Sequence, residues 1–188
     1  MAEVLGERPI YQGWSRFSLV RFRLDQGSEV ERCIEDHGDA ACVLPYDPER
    51  RVALLVRQFR APVTLKGEAE FPEPPAGLID AGETAEASAR REAEEETGLS
   101  LKVLESVGRF WSSPGSTTER SSLFLAEYAA ADRTGQGGGV DHDEHVEILE
   151  VPLAELAARA DRGELHDLKL GVLVLALMRK RPDLFPPS

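Results

Sequence analysis

Residues 77–99 have the sequence GLIDAGETAEASARREAEEETGL, and the rest of the expected fold is built around this stretch. Thr84 is a favoured N-cap residue, and Gly98 can take the left-handed conformation that ends a helix. Between them the run is rich in alanine, arginine and glutamate, which are good helix formers. The stretch therefore predicts a helix from about Thr84 to Thr97.

The predicted helix has small residues and glutamates on the same face. On a helical wheel of about 100° per residue, one side carries small apolar residues with two carboxylates, and the opposite side carries other charges. These sides are Ala85, Ala89, Glu92 and Glu96 against Arg90, Arg91 and Glu94. A glutamate-rich helix is usually a solvated surface, but that interpretation puts Glu92 and Glu96 on the wrong side.

The spacing of the carboxylates favours a cation. Side chains one turn apart, such as Glu92 and Glu96, repel each other unless a positive charge lies between them, and Glu95 stands beside them. Magnesium prefers oxygen ligands and commonly shares substrate phosphates with protein carboxylates. Arg91, four residues before Glu95, is expected to pair with it and fix its direction. An ordinary surface ion pair is the alternative for Arg91.

At its fixed positions the stretch resembles the box that defines the Nudix hydrolases, Gx5Ex7REUxEExGU, in which U is aliphatic. Gly77, Glu83 and residues 91–99 supply all seven fixed residues. Ala93 stands where the family more often has isoleucine, leucine or valine, a departure that concerns local packing rather than chemistry. A match of this length makes the resemblance specific.

The resemblance implies a divalent metal, Mg²⁺ with Mn²⁺ as a possible substitute. The implied ligands are Glu92, Glu95, Glu96 and the main-chain carbonyl of Ala76 or Gly77. Glu95 and Arg91 are also expected to act in catalysis. Glu83 would bind metal through water or hold the loop, and the alternative is a carboxylate that is favoured only by the helix dipole.

The resemblance covers most of the chain and points to the branch with ADP-ribose pyrophosphatases and GDP-mannose hydrolases. The stretches that carry it are RQFR at 57–60, EFPEPPAGLID at 70–80, SSPG at 112–115 and GGGVDHDEHVEILEVP at 137–152. In ADP-sugar enzymes a proline typically lies sixteen residues beyond the box, and Pro114 lies sixteen residues after Gly98. A plain turn proline is the alternative. The implied substrate is a nucleoside diphosphate sugar, ADP-ribose foremost, which gives AMP and ribose 5-phosphate.

Two arginines and a glutamate are expected to line the substrate site. Arg57 and Arg60 end a predicted buried strand, and guanidinium groups suit nucleotides and phosphates. Plain surface charge is the alternative for both. Glu73 stands where similar enzymes have a glutamate in the site, although three neighbouring prolines leave its direction open.

Hydrolysis also requires a base. In this branch the base, or an additional metal carboxylate, often comes from an acidic loop, and residues 141–144 (DHDE) form such a cluster. We expect Glu144 to act, because the residues after it best match the strand entry of the family. Asp143 and Asp141 are the alternatives, and a solvated loop without function is another.

The rest of the chain predicts an α/β domain with an N-terminal extension. Alternating and apolar runs predict strands at Trp14–Leu24, Glu29–Glu35, Ala40–Leu44, Val52–Phe59, Leu101–Val107, Ser121–Tyr128 and Val146–Val151, and helices at Leu153–Arg162 and Leu168–Arg179. The resemblance implies an α/β/α sandwich on a mixed sheet for residues 39–188. Residues 1–38 are expected to form an antiparallel dimerisation sheet, because a short strand pair is marginal alone. The expected assembly is a homodimer.

Composition excludes several classes of protein. A chain of 188 residues with 41% hydrophobic content can bury one sizeable core. A net charge of -12 disfavours nucleic-acid binding, which relies on basic groups. No apolar run approaches the roughly 18 residues that span a membrane, so we expect a cytoplasmic protein without a membrane partner.

Two alternative functions stay open. A hydrolase of GDP-mannose or another nucleotide sugar is favoured by the glycine-rich segment before the acidic cluster, and a substrate panel would separate it. A Nudix domain kept as a non-catalytic nucleotide sensor belongs to a different class. Such sensors tend to lose carboxylates of the box, whereas this sequence has all of them.

Overall fold

The computed structural model describes residues 1–139 and 146–185, and the chain divides into two units. The first consists of Met1–Ala40 and Arg109–Ser121, and the second of Ala41–Gly108 and Ser122–Ser188. The functional division into an extension of residues 1–38 and a hydrolase domain of residues 39–188 stays a prediction. None of the described helices combines the length and the apolarity needed to cross a membrane. The cytoplasmic location likewise stays a prediction.

The first unit contains an antiparallel sheet of three strands in the order β1-β2-β3. These strands are β1 (Glu3–Gln12), β2 (Arg16–Arg23) and β3 (Glu29–Asp36). The sequence predicted β2 and β3 but missed β1. Register shifts between Val4 and Gly6 and between Pro9 and Tyr11 interrupt the two-residue alternation by which a strand is recognised.

The other strands form a six-stranded sheet in the order β7-β8-β4-β5-β9, with β6 paired to β4. In chain order the elements are β4 (Ala40–Asp47), β5 (Val52–Arg57), α1 (Ala61–Leu65), β6 (Ala76–Leu78), α2 (Ala85–Thr97), β7 (Glu105–Trp111), β8 (Arg120–Glu127), β9 (Glu147–Pro152), α3 (Leu153–Asp161) and α4 (Leu168–Lys180). Strands β4 and β5 form an antiparallel hairpin. Strand β9 is antiparallel to β5 and aligns Glu147 with Arg57.

Each face of this sheet has its own hydrophobic core, because alternate residues of a strand point to opposite faces. On β4, Leu44 joins one core and Val43 joins the other. Buried leucines of α3 and α4 complete the first core, and Ala89 and Ala93 of α2 complete the second. Helices therefore cover both faces, and the predicted α/β/α arrangement on a mixed sheet is confirmed.

One predicted strand begins later than expected. The run Leu101–Val107 was predicted as a strand, but β7 starts only at Glu105. Leu101 is buried, which accounts for the apolar pattern. The carbonyls of Leu101 and Lys102 accept hydrogen bonds from the Arg90 guanidinium, each at 3.2 Å, rather than from a neighbouring strand. A side chain thus satisfies backbone groups that the pattern assigned to a sheet.

Candidate active site

Helix α2 begins and ends where the sequence predicted. The Thr84 side chain accepts a hydrogen bond from Ala87 N, and Gly98 ends the helix with a φ of 72°. Ala89 and Ala93 are fully buried. Because these small side chains bring the helix close to the sheet, the carboxylates of the same face are carried into the protein rather than into solvent.

Arg91 gathers three carboxylates around its guanidinium group. Its Nη1 donates to Glu92 at 2.7 Å and to Glu95 at 3.1 Å, and its Nη2 donates to Glu83 at 3.2 Å. The hydrogen bond from Arg91 lowers the pKa of Glu83, so that carboxylate stays ionised. The predicted pairing of Arg91 with Glu95 is confirmed. The helical wheel places Arg91 away from Glu92, and its long side chain nevertheless reaches round the helix surface to that carboxylate.

Glu96 is more deeply buried than the other glutamates of α2, with 3% of its surface exposed. Its Oε1 accepts a hydrogen bond from Gln58 Nε2 at 3.1 Å, and its Oε2 accepts one from Ala76 N at 3.2 Å. Within residues 1–139 and 146–185, no basic side chain forms an ion pair with it. Burial and the nearby charge of Glu92 raise the pKa of Glu96 from 4.5 to about 8.

Gly77 lies directly against the carboxylate of Glu92. A Cβ atom there would lie 1.9 Å from Glu92 Oε1, so a larger residue would push that carboxylate away. Glu92 itself is half-buried, with 12% of its side chain exposed. The glycine that opens the sequence pattern therefore makes room for an acidic side chain beside the backbone.

A glycine-rich segment, residues 134–139, is bound to the C-terminal end of α2. Gly138 N donates to Glu96 O at 2.9 Å, and Gly139 N donates to Glu95 O at 3.1 Å. The last carbonyls of a helix have no partner inside the helix, and here neighbouring amides supply one. The segment therefore fixes the backbone of two predicted metal ligands.

A second buried carboxylate, Glu73, is surrounded by cations in a group that we name the Glu73 cluster: Arg60, Glu73, Asp167 and Lys169. Arg60 donates to the two oxygens of Glu73 through Nε at 2.9 Å and Nη2 at 3.0 Å. Lys169 Nζ lies 3.9 Å from Glu73 and 2.6 Å from Asp167. Two backbone hydrogen bonds with Val56, both 2.8 Å long, hold Glu73 in this direction despite the prolines around it.

The remaining predicted residues are placed as follows. Arg57 donates to Glu147 of β9 at 2.9 Å, so a protein carboxylate already pairs with the guanidinium that was predicted to face a substrate. Pro114 lies in the first unit, in the turn between β7 and β8. The substrate roles of both stay predictions. The candidate bases Glu144, Asp143 and Asp141 lie outside the described residues.

The acidic group around α2 fits a divalent cation by its chemistry. Its carboxylates are Glu83, Glu92, Glu95 and Glu96, and the basic group among them is Arg91. In the described part of the chain, no group of three or more acidic, histidine or cysteine side chains is arranged so that it could already hold a metal ion. Carboxylate oxygens are nevertheless the ligands that Mg²⁺ prefers, and the excess negative charge is what such an ion would neutralise.

Sequence reasoning missed three residues of this region, namely Gln58, Asp167 and Lys169. Gln58 is a polar residue at the end of the buried run VALLVRQF, and buried polar side chains are nearly always hydrogen-bonded. Lys169 is a cation in the first turn of a helix, where the helix dipole disfavours positive charge. Both conflicts with local expectation were signals of a tertiary contact.

Comparison with known proteins shows which proteins the chain is similar to. GDP-mannose pyrophosphatase from Klebsiella pneumoniae subsp. pneumoniae is 36% identical over 177 residues, which cover 91% of this chain and 88% of that protein. ADP-ribose pyrophosphatase from Escherichia coli (strain K12) is 36% identical over 173 residues, which cover 88% and 82%. A crystal structure of an ADP compounds hydrolase has the same fold, with a TM-score of 0.78 at 16% identity over 97% of this chain and 95% of that one.

The family match includes all the elements that build the site. The model of the NUDIX domain matches residues 36–169, from the end of β3 to the first turn of α4. This range includes α2 with its carboxylates, the loop before it and the whole Glu73 cluster. Taken with the relatives that cover most of its length, the match shows that the chain belongs to the Nudix family.

Proposed function

We propose that this protein uses a divalent cation to hydrolyse the diphosphate bond of nucleoside diphosphate sugars, with ADP-ribose as the main substrate. The observation that carries the proposal is the buried carboxylate of Glu96, which among the described residues accepts hydrogen bonds from neutral donors and forms no ion pair. Burying such a charge costs free energy unless a cation completes the site. Relatives named ADP-ribose pyrophosphatase and GDP-mannose pyrophosphatase support the same class of reaction.

The metal site in this proposal is built on α2. Glu92, Glu95 and Glu96 would hold Mg²⁺, or Mn²⁺ as a substitute, with the carbonyl of Ala76 as a further ligand. A bound ion of this kind lowers the pKa of a coordinated water and neutralises charge on the diphosphate. Arg91 directs the first two carboxylates, and the Ala76 amide directs the third.

The substrate site in this proposal lies beside the metal site. Arg60 would bind a phosphate, because Glu73 holds its guanidinium in a fixed direction. Arg57 and Pro114 would contact the nucleotide or the sugar. Glu144 would take the proton of the attacking water, with Asp143 and Asp141 as the alternatives.

Turnover of ADP-ribose tests the proposal. With Mg²⁺, the purified protein should give AMP and ribose 5-phosphate. Glu96→Gln should lower the rate of ADP-ribose hydrolysis by more than the roughly 10- to 100-fold that is typical when a residue hydrogen-bonded to a metal ligand is replaced. Glu94→Gln, an exposed position of the same helix, is the matched control and should keep the wild-type rate. No turnover across a panel of nucleotide sugars, with metal demonstrably bound, would contradict the proposal.

GDP-mannose is the second candidate substrate. A GDP-mannose pyrophosphatase from Cronobacter sakazakii is 39% identical over 146 residues, which cover 77% of this chain and 75% of that protein. The ratio of kcat/KM values for ADP-ribose and GDP-mannose decides between them. Tight nucleotide binding without any product would instead favour the non-catalytic sensor.

The proposal includes a homodimer formed through the first unit. Strand β1 lies at the edge of its sheet and exposes apolar side chains, including Val4 at 63%, Ile10 at 50% and Tyr11 at 54%. An exposed apolar edge strand is a ready surface for a second copy of the chain. Light scattering should give twice the chain mass of 20.7 kDa. A fully active monomer would contradict this assembly.

A further inference from the structure

We infer that Asp167 and Lys169, at the start of α4, are positioning residues that keep Arg60 available for the diphosphate of the substrate. The inference rests on the proposed function, because that function supplies the anion that Arg60 would meet. It extends the site from α2 to a second helix. Its basis is the charge balance of the Glu73 cluster.

Lys169 occupies a position that costs free energy. The first turn of a helix carries a partial positive charge, and burial also disfavours a charged lysine. Lys169 is nevertheless half-buried, with 27% of its side chain exposed. Burial alone would lower its pKa, but the carboxylate of Asp167 raises it, and the nearby Glu73 adds to this effect. The ammonium group is therefore held in place by negative partners.

Asp167 fixes where this ammonium group lies. Its Oδ1 accepts a hydrogen bond from Leu170 N at 2.7 Å and so caps α4, while its Oδ2 accepts one from Lys169 Nζ at 2.6 Å. The resulting distance of 3.9 Å from Nζ to Glu73 is too long for a hydrogen bond but short enough for charge to act. Lys169 therefore neutralises Glu73 without displacing Arg60 from it.

Arg60 is the group that benefits from this arrangement. Its Nε and Nη2 are both used by Glu73. Among residues 1–139 and 146–185, no group accepts a hydrogen bond from its Nη1. Two carboxylates and two cations make the cluster neutral, whereas a cluster without Lys169 would carry a net negative charge. Such a cluster would repel a diphosphate that approaches Nη1.

Steady-state kinetics with the nucleotide sugar and saturating Mg²⁺ test the inference. Lys169→Met should raise KM by about tenfold and change kcat by less than about twofold. Lys169→Arg should restore the wild-type KM. Asp167→Asn keeps a good N-cap residue but releases the Lys169 ammonium, which can then compete with Arg60 for Glu73, so this variant should also raise KM. The matched control is Lys180→Met, which removes the same charge from the last turn of α4, where Lys180 pairs with Glu105, and should leave KM unchanged.

A double-mutant cycle separates positioning from a merely structural role. In an Arg60→Gln background, Lys169→Met should change KM by less than about twofold, because its effect acts through Arg60. Full additivity of the two changes, or a wild-type KM in Lys169→Met, would overturn the inference. If Lys169→Met does not fold, Asp167→Asn is the test variant instead. An unchanged KM in Asp167→Asn would also overturn the inference. An inactive wild type would overturn the proposed function itself, which is a distinguishable result.

Discussion

Glu73 and Glu96 are both buried carboxylates of the second unit, with 4% and 3% of their surfaces exposed, but their electrostatic surroundings are opposite. Glu73 binds the guanidinium of Arg60 through two hydrogen bonds and has a second cation nearby. In the part of the chain that the structure describes, Glu96 accepts hydrogen bonds from two neutral groups, the side-chain amide of Gln58 and the backbone amide of Ala76. Burial is common to both, so it does not identify a metal ligand. The proposed role of Glu96 as a metal ligand rests instead on the absence of an ion pair between Glu96 and any described cation, although the charge of Arg60 acts on it from a distance.

The contrast also shows where the protein gives up stability. A buried carboxylate with its own cations is compensated by the fold, as at Glu73. A buried carboxylate without one destabilises the metal-free protein, and such strongly perturbed groups cluster at functional sites. The two positions should therefore respond to the same substitution, glutamate to glutamine, with changes of opposite sign.

The largest expected effect is a pH-dependent gain of stability in Glu96→Gln. The pKa of Glu96 is raised from 4.5 to about 8 in the folded protein, so the free energy of unfolding falls as the pH rises between these values. At pH 8.5 without metal, the variant should exceed the wild type by on the order of 4 kcal/mol, and near pH 4.5 the difference should vanish. Chemical denaturation with a chelator present measures both. A difference in the free energy of unfolding that stays constant across the pH range would contradict the account of Glu96.

Glu73→Gln should change the free energy of unfolding in the opposite direction. The substitution leaves Arg60 without its counterion in a partly buried place, which should lower the free energy of unfolding by about 2 kcal/mol. The effect is smaller than for a fully buried pair, because 39% of the Arg60 side chain is exposed. The same denaturation experiment at pH 8.5 checks this. If Glu73→Gln were more stable than the wild type, Glu73 and Glu96 would both destabilise the metal-free protein, and the contrast between them would be wrong.

The next prediction concerns the contact between the glycine-rich segment and the end of α2 that carries Glu96. Gly137 has a φ of 66°, and a Cβ atom there would lie 2.6 Å from Glu96 O. Gly137→Ala should therefore lower the free energy of unfolding by about 1.5 kcal/mol, through strain and displacement of the segment. The control is Gly135→Ala, whose Cβ would meet its nearest atom at 3.6 Å. Equal effects in thermal denaturation would refute the close contact with the helix end.

The smallest expected effect concerns the cap of α4. Asp167→Ala removes a side-chain acceptor from Leu170 N and should cost about 1 kcal/mol, whereas Asp167→Asn keeps an acceptor and should cost a few tenths. The loss stays small because the Lys169 ammonium still has the carboxylate of Glu73 nearby. Denaturant titration of both variants measures the difference. A large loss in Asp167→Asn would show that the charge, rather than the cap, supports the fold.

Local spacing explains how much of the site the sequence could predict. The caps at Thr84 and Gly98 and the carboxylates of α2 all lie within about four helical turns, where the period of 3.6 residues relates position to direction. The pair Arg91–Glu95 follows from the same rule. These features were predicted because each depends on neighbours in the chain.

The rest depends on contacts between distant parts of the chain. Lys169 lies near Glu73 only because α4 packs on the same sheet that carries the loop of Glu73. The glycine-rich segment meets α2 through backbone amides, which leave no pattern in the side chains. Strand β1 was missed because its bulges hide the alternation of its residues. No spacing rule connects such partners before the topology is known.

Calorimetric titration of Mg²⁺ into the metal-free protein tests the central claim most directly. The wild type and Glu73→Gln should both bind the ion, because the carboxylates of α2 are intact in both. Glu96→Gln should bind it at least about tenfold more weakly, since a buried ligand is lost. Equal Mg²⁺ affinity in Glu96→Gln and the wild type would contradict the assignment of Glu96 as the carboxylate that the metal completes.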